Sequence, residues 1–277
     1  MAQFSVVRQQ NLFNKDLHEV VMIADKDGNI LNTSGPAASG APSNIPLANG
    51  DVSGYTAVHK YGSCDGTNGT GWNTVWTGAE TNGQQLYPWP AIGAASVVTV
   101  VSTSGSDTTT VTLEGLDVNY AFQTETLTLT GTVAATGSKV FHRVNRAFMS
   151  GIATNVGNII VKNATPTVIT EIKAGRGQTL QSLYTVPAGF TGFLNTIQMT
   201  SNKSTDVEVA MFARPFGGAF RVVGGTFLHR MDHTVEYSSP VKLTEKTDID
   251  VRAIGANNNS VSCSFDLVVV ENSVLNS

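Results

Sequence analysis

The chain contains 277 residues and carries a formal net charge of −4, with its 17 basic residues scattered along the sequence. This distribution argues against a nucleic-acid-binding protein, which would show a basic face. Charged residues make up only 14% of the chain, against roughly 25% in ordinary soluble domains. Thr, Ser, Gly and Asn replace them, which favours an all-β protein. A surface with so few charges is tolerable where much of it is buried against neighbouring molecules.

Targeting signals and cysteines indicate where the protein folds. The first residues lack the apolar stretch of a secretory signal peptide, and no apolar run approaches the roughly 20 residues of a membrane span. We therefore expect folding in a cytoplasm and no membrane partner. Cys64 and Cys263 lie far apart in unlike contexts, so two free thiols are the favoured interpretation and an internal disulfide is the alternative.

Residues 1–90 are predicted to form an irregular N-terminal anchor region. An apolar run at 20–24 and the pair Ile30-Leu31 flank Asp27-Gly28, which is typical of a β-hairpin. Residues 7–17 are the best helix candidate of the chain. A stretch rich in Gly, Pro, Ser and Asn over 33–54 predicts a loop or arm.

The three tryptophans of the chain close this N-terminal region. Trp72, Trp76 and Trp89 fall within a short, Gly-containing segment that Pro88 and Pro90 end. Such a density of indole rings indicates either a small aromatic core or a docking face.

Two β-sandwiches are predicted after the N-terminal region. Residues 91–163 contain four or five short strands with Gly-containing turns, which predicts a small sandwich or barrel. Residues 164–277 contain about eight strands, which predicts a jelly-roll-like or immunoglobulin-like sandwich. The clearest strand covers 261–270, where apolar side chains alternate with polar ones as in a half-buried antiparallel strand.

Several short motifs resemble catalytic or metal-binding sites, but each has a simpler interpretation. The run 62–66 has the letters of a nucleophile elbow centred on Cys64, yet the following residues are poor helix formers. Residues 25–29 lack the spacing of a calcium loop, and residues 65–71 offer only scattered oxygen ligands. His229 and His233 share a strand face without a credible third metal ligand.

Two pairs of carboxylates are spaced like the acids of a glycosidase. Asp206 with Glu208, and Asp248 with Asp250, each share one face of a predicted strand. Because apolar residues separate the members of each pair, we expect all four carboxylates to face solvent at strand edges. The sequence therefore predicts no enzyme, no catalytic residues, no cofactor and no bound metal.

Aromatic and basic side chains at bends are the better candidates for contacts with other molecules. Aromatic side chains near Gly-containing bends serve either as core residues or as interface anchors. The candidates for subunit contacts are Trp72, Trp76, Trp89, Arg143, Arg146, Phe190, Phe216 and Phe220.

Seven segments together resemble a family of β-rich virion structural proteins of tailed bacteriophages, especially marine ones. The segments are 111–120, 125–132, 143–147, 176–180, 184–192, 214–221 and 245–249. The resemblance extends from about Tyr87 to Glu271 and is poor over the first eighty residues. It implies a β-rich virion component and supplies no active-site residues.

The resulting hypothesis is a bacteriophage virion structural protein that assembles with itself, as a homotrimer, and with other phage structural proteins. A capsid-surface decoration or cement role is favoured, because the chain is short and has no fibre-type repeat. The alternative is a tail, baseplate or fibre-type protein that contacts the host surface and binds, or less favourably hydrolyses, a surface glycan.

Overall fold

The computed structural model describes residues 5–8, 21–24, 45–65, 67, 71–78, 86–91, 93–151, 153–203, 205–255 and 259–276. The chain divides into two compact units, Met1–Ser53 and Gly54–Ser277. None of the helices in the described part of the chain is both long and apolar enough to span a membrane.

The first unit contains two short strands and one helix. β1 (Ser5–Arg8) pairs with β2 (Val21–Ala24) in antiparallel register, and α1 covers Ile45–Asn49. A strand was expected at 20–24, and β2 lies there, but its partner is β1. The predicted turn at Asp27-Gly28 and most of the helix candidate 7–17 lie outside the described residues.

The second unit is almost entirely β-structure, which confirms the all-β prediction. Its strands, in chain order, are β3 (Tyr55–Asp65), β4 (Asn73–Thr74), β5 (Ser96–Ser102), β6 (Thr110–Leu116), β7 (Phe122–Thr128), β8 (Ala135–Phe141), β9 (Arg143–Met149), β10 (Ile159–Lys162), β11 (Val168–Ile172), β12 (Leu183–Thr185), β13 (Phe190–Ser201), β14 (Val207–Arg214), β15 (Arg221–Leu228), β16 (Asp232–Leu243), β17 (Asp248–Gly255) and β18 (Ser260–Glu271). A short helix, Asn272–Leu275, follows β18.

Eight of the described strands form a jelly roll. One sheet has the order β3-β18-β13-β16 and the other the order β12-β17-β14-β15. Lettered B to I along the chain, these sheets read B-I-D-G and C-H-E-F, which is the double Greek-key order of a jelly roll rather than of an immunoglobulin domain. β4 lies beside β12 on the same edge of β17.

The core of the jelly roll follows from the alternation seen in the sequence. In β18, Val261, Cys263, Phe265, Leu267 and Val269 are buried, and the side chains between them are half-buried. They pack against the inward row of β14 and β17 in the opposite sheet. The predicted strand at 261–270 is therefore confirmed, with the predicted face inward.

The smaller sandwich is an insertion between β4 and β12. Its two sheets have the orders β11-β10-β5-β8 and β7-β6-β9, and Val100, Val111, Leu113, Phe141 and Ile159 contribute to its core. The boundaries differ from those expected at 90 and 163. β3 pairs along its length with β18 and so belongs to the jelly roll, and β11 pairs with β10 and so belongs to the insertion.

Candidate functional site

A buried group of ion pairs connects the insertion to the jelly roll. Arg143 is on β9 of the insertion, and its Nε lies 3.0 Å from Oδ1 of Asp248 on β17. Arg214, at the end of β14, places Nη2 2.6 Å from Oδ2 of the same carboxylate. Thr185 Oγ1 donates a hydrogen bond of 2.6 Å to Asp248 Oδ1. One buried carboxylate therefore binds two guanidinium groups and a hydroxyl.

Asp250, two residues further along β17, forms a second set of polar contacts. Its carboxylate accepts hydrogen bonds from Trp89 Nε1 at 3.0 Å, Thr74 Oγ1 at 3.0 Å and Arg252 Nε at 2.9 Å. Burial raises the pKa of the Asp250 carboxyl, while Arg252 and the hydrogen-bond donors oppose that shift. This carboxylate is completely enclosed by its partners.

The prediction that Asp248 and Asp250 face solvent is therefore wrong. Both side chains point to the outer face of β17, as their spacing requires, but the tryptophan segment and the insertion cover that face. Asp206 behaves as predicted: its side chain is 86% exposed and meets His229 Nδ1 at 3.0 Å. Because arginines bind both buried carboxylates, Asp248 and Asp250 do not form the open acid pair of a glycosidase.

The tryptophan segment packs at the same junction. Trp76 is fully buried and meets Tyr87 edge-on, and Tyr87 in turn meets Trp89 with ring centroids 4.8 Å apart. Trp72 packs edge-on against Phe212 of β14. Of the two interpretations of this segment, the structure shows an aromatic core for Trp76, and Trp76 is not available to another molecule.

Cations stack on the remaining rings of the junction. The guanidinium of Arg214 lies 4.5 Å from the Phe220 ring centroid and 5.6 Å from that of Trp89. The guanidinium of Arg143 lies 5.3 Å from the Trp89 ring centroid. Arg143, a candidate subunit contact, thus makes its contacts within the chain. The same contacts leave Trp89 and Phe220 half-buried.

A buried histidine adjoins the ion pairs. His142 Nε2 lies 3.0 Å from the Tyr120 hydroxyl, and its Nδ1 has no hydrogen-bond partner among the described residues. Burial, together with the nearby charge of Arg143, lowers the pKa of His142 to about 4. The imidazole therefore remains neutral at neutral pH and acts as a packed polar group.

The other candidate contacts remain at the surface. Phe216 is 51% exposed and meets Tyr120 edge-on. Arg146 is exposed; its guanidinium stacks on Phe148 at 4.6 Å. Phe190 is half-buried at the start of β13. Arg146 and Phe190 line one groove and Phe216 lines another, so the structure divides these candidates between two surfaces.

One exposed apolar edge was not among the predicted candidates. We call it the β15 edge and define it by Val222, Phe227 and Met231. These side chains are 60%, 71% and 48% exposed. A bulge in the register between β14 and β15 keeps Val222 and Phe227 on the same outward face. β15 pairs with β14 and with no other described strand.

The motif-like segments are explained by the fold. Cys64 is a buried residue of β3 on a regular strand, so the run at 62–65 is not a nucleophile elbow; Gly66 lies outside the described residues. Asp65 forms an ion pair with Lys173 at 3.2 Å. Within the described ranges, no three His, Cys, Asp or Glu residues form a group that could hold a metal ion.

One buried lysine, Lys60, was not among the residues predicted from the sequence. Lys60 lies on the inward row of β3 with Val58, Gly62 and Cys64, and it is only 7% exposed. The alternation of that strand was the available signal, because it places a lysine where apolar residues are expected.

No protein-family model matches the chain, and no curated protein matches it. Among solved structures, the chain is similar to a structure of the Gx strain of infectious bursal disease virus, with 12% identity over 78% of this chain and 76% of that chain and a TM-score of 0.21. It is also similar to a crystal structure of the VP2 subviral particle of that virus, with 12% identity over 85% of this chain and 76% of that chain and a TM-score of 0.22. At these TM-scores the likeness carries no argument about fold or function.

Proposed function

We propose that this chain is a structural protein of a bacteriophage virion, which assembles with copies of itself on the capsid surface as a decoration or cement protein. The observation that carries the proposal is the β15 edge: a strand that pairs with β14 on one side and with no described strand on the other, at the rim of a complete jelly roll, with apolar side chains directed outward. Exposed, unprotected strand edges of this kind favour pairing or packing with another chain.

The chemistry of the remaining surface supports an assembling protein. Few charged residues are available to keep copies apart, since they form 14% of the chain. The acids and arginines that could have served catalysis are ion-paired inside the junction. The resemblance to phage virion proteins supports the bacteriophage particle as the site of assembly.

The form of the assembly follows from the type of contact. If the β15 edge packed against itself, the contact would be isologous and would give a dimer. Packing against a different surface of the next copy gives a heterologous contact, which forms a ring where the rotation between copies closes and an open filament where it does not. Three copies form the smallest such ring. We therefore propose a homotrimer that other phage structural proteins hold on the particle.

Light scattering of purified protein tests the self-assembly. The wild type is expected at three times the monomer mass, and Phe227→Lys at the monomer mass, because a buried lysine without a partner is strongly unfavourable in an interface. Val156→Lys is the matched control, since Val156 is 63% exposed on the insertion. A monomeric wild type, or a control that dissociates as well, would contradict the proposal.

The location on the particle needs a separate experiment. Labelling of purified virions with an antibody against this chain should mark the head, whereas label on the tail would favour the tail or baseplate alternative. A glycan array addresses the same alternative, because a protein with a purely structural role is expected to bind no glycan.

A further inference from the structure

We propose that Lys60 and Asn145 are joined by an isopeptide bond between Lys60 Nζ and Asn145 Cγ, with Glu114 transferring the protons. The bond would connect β3 of the jelly roll to β9 of the insertion. It is a modification within one chain and is independent of the proposed assembly.

The amine is already held at Asn145. Lys60 Nζ donates a hydrogen bond to the main-chain oxygen of Asn145 across 85 residues of sequence, and both residues are buried. The hydrogen bond holds the nucleophile at the residue that carries the carboxamide. Holding two reactants together in this way replaces a bimolecular encounter and is a large source of rate acceleration.

The protonation state of Lys60 suits a nucleophile. Burial and, to a smaller extent, the charge of Arg146 lower the pKa of the amine, Glu114 opposes them, and the resulting pKa is about 7. Near neutral pH, a large fraction of the amine therefore carries a free electron pair. Desolvated lysines are activated as nucleophiles in this manner.

The carboxamide of Asn145 is fixed and polarised. Asn145 is the extra residue of a bulge in β9, because Arg146 faces Glu114 while Val144 faces Gly115. A bulge directs a side chain away from the regular alternation of the strand. The Asn145 Oδ1 atom accepts a hydrogen bond of 3.2 Å from the Thr185 N–H, and a donor on this oxygen would stabilise negative charge that develops there.

Glu114 is the proton-transfer group. It lines the same groove as Lys60, Asn145 and Arg146, with a volume of about 440 Å³ between the jelly roll and the insertion. Its carboxylate lies 3.9 Å from Arg146 Nη1. A carboxylate that lines the same groove as both reacting residues is the candidate to accept a proton from the attacking amine and return it to the leaving group.

The reaction balances without any further reagent. The neutral Lys60 amine attacks Asn145 Cγ and forms the C–N bond, and Oδ1 carries the developing negative charge. Glu114 takes a proton from Nζ and delivers it to Nδ2, the Cγ–Nδ2 bond breaks, and ammonia leaves. Nothing is oxidised or reduced, and the product is a secondary amide.

Intact-protein mass spectrometry of the unfolded full chain is the test. The wild type, held at about pH 8 so that the amine is neutral, is expected to be lighter than its sequence by one ammonia. Lys60→Met and Asn145→Ala are expected to show their sequence masses. Lys139→Met is the matched control: Lys139 Nζ also donates to a main-chain oxygen, at 2.6 Å, but it is exposed, so that variant should keep the ammonia loss.

Two further measurements make the outcomes decisive. Peptide sequencing must show a branched peptide joining Lys60 to Asn145; a wild type at its sequence mass, or an ammonia loss that maps to a succinimide, overturns the proposal. Glu114→Gln is expected to fold and to cross-link at least about 100-fold more slowly, the usual scale of acid–base catalysis. Wild-type cross-linking speed in this variant would overturn the role of Glu114.

Discussion

Replacement of Asp248 by Asn is expected to destabilise the junction between the insertion and the jelly roll. The substitution preserves the shape of the side chain and removes its charge. Two arginines then lose their shared counter-ion: Arg143, whose side chain is 2% exposed, and Arg214, whose side chain is 26% exposed. Removing one partner from a buried ion pair costs about 3–5 kcal/mol, because the remaining charge stays desolvated.

The lower end of that range applies here. Arg143 keeps hydrogen bonds from Nη1 to the main-chain oxygens of Pro90 and His142, and Arg214 can turn towards water. We therefore expect a loss of about 3 kcal/mol, which is a large part of the 5–15 kcal/mol that stabilises a typical protein.

Urea unfolding followed by tryptophan fluorescence is the assay, since Trp89 lies directly on the ion pairs. The midpoint should fall while the slope stays unchanged. Asp206→Asn is the matched control, because that carboxylate is 86% exposed and its replacement should stay within about 0.5 kcal/mol of the wild type.

A double-mutant cycle separates the ion pair from other effects of the substitution. Arg143→Met removes the stranded charge, so the double variant should be less destabilised than the sum of the two single variants. The reasoning is refuted if Asp248→Asn behaves like Asp206→Asn, or if the two single effects add within about 0.5 kcal/mol.

Three other properties follow from the structure. Because the pKa of His142 is lowered to about 4 in the folded chain, the unfolded chain binds more protons than the folded chain between about pH 4 and 6.5. The free energy of unfolding should therefore decline as the pH falls through that window, by about 3 kcal/mol at most. Urea unfolding of His142→Gln at several pH values should no longer show this decline. An added Cβ at Gly62 would lie 2.2 Å from Ser182 N, whereas the space beside Gly105 is open. Gly62→Ala should therefore lower the free energy of unfolding by about 1–3 kcal/mol. Equal stability of Gly62→Ala and Gly105→Ala would contradict this close contact. Burial raises the pKa of Cys263 to about 12, so its labelling by a thiol reagent should require unfolding, and rapid labelling of the native protein would be inconsistent with the structure.

The sequence predicted strands well where alternation alone decides burial. β18 is the example, since its apolar row faces the core at every predicted position. β17 shows the limit of that reasoning. Its apolar row, with Ile249 and Val251, is buried as the pattern indicates, but its acidic row is buried too. A period of two cannot distinguish a solvated polar row from one that distant arginines neutralise.

The junction was unpredictable for the same reason. Arg143 is 105 residues from Asp248, and no local pattern relates them. The domain order was equally hidden, because β3 pairs with β18 although nearly the whole second unit lies between them. Strand periodicity specifies which face is buried, but not which strand is the neighbour.

The placement of the insertion keeps its junction with the jelly roll apart from the β15 edge. β4, where the insertion starts, and β12, where it ends, share one edge of β17, and β15 is the last strand at the other end of the same sheet. An edge that is covered cannot pair with another chain, so in this sheet the β15 edge is the one open to the proposed assembly. It follows that Asp248→Asn should reduce stability without changing the mass of the assembly under native conditions. Phe227→Lys should change the mass without lowering the free energy of unfolding, when unfolding is compared at a protein concentration at which the wild type is also monomeric. If either variant produced both effects, the junction and the assembly surface would have to be one coupled site.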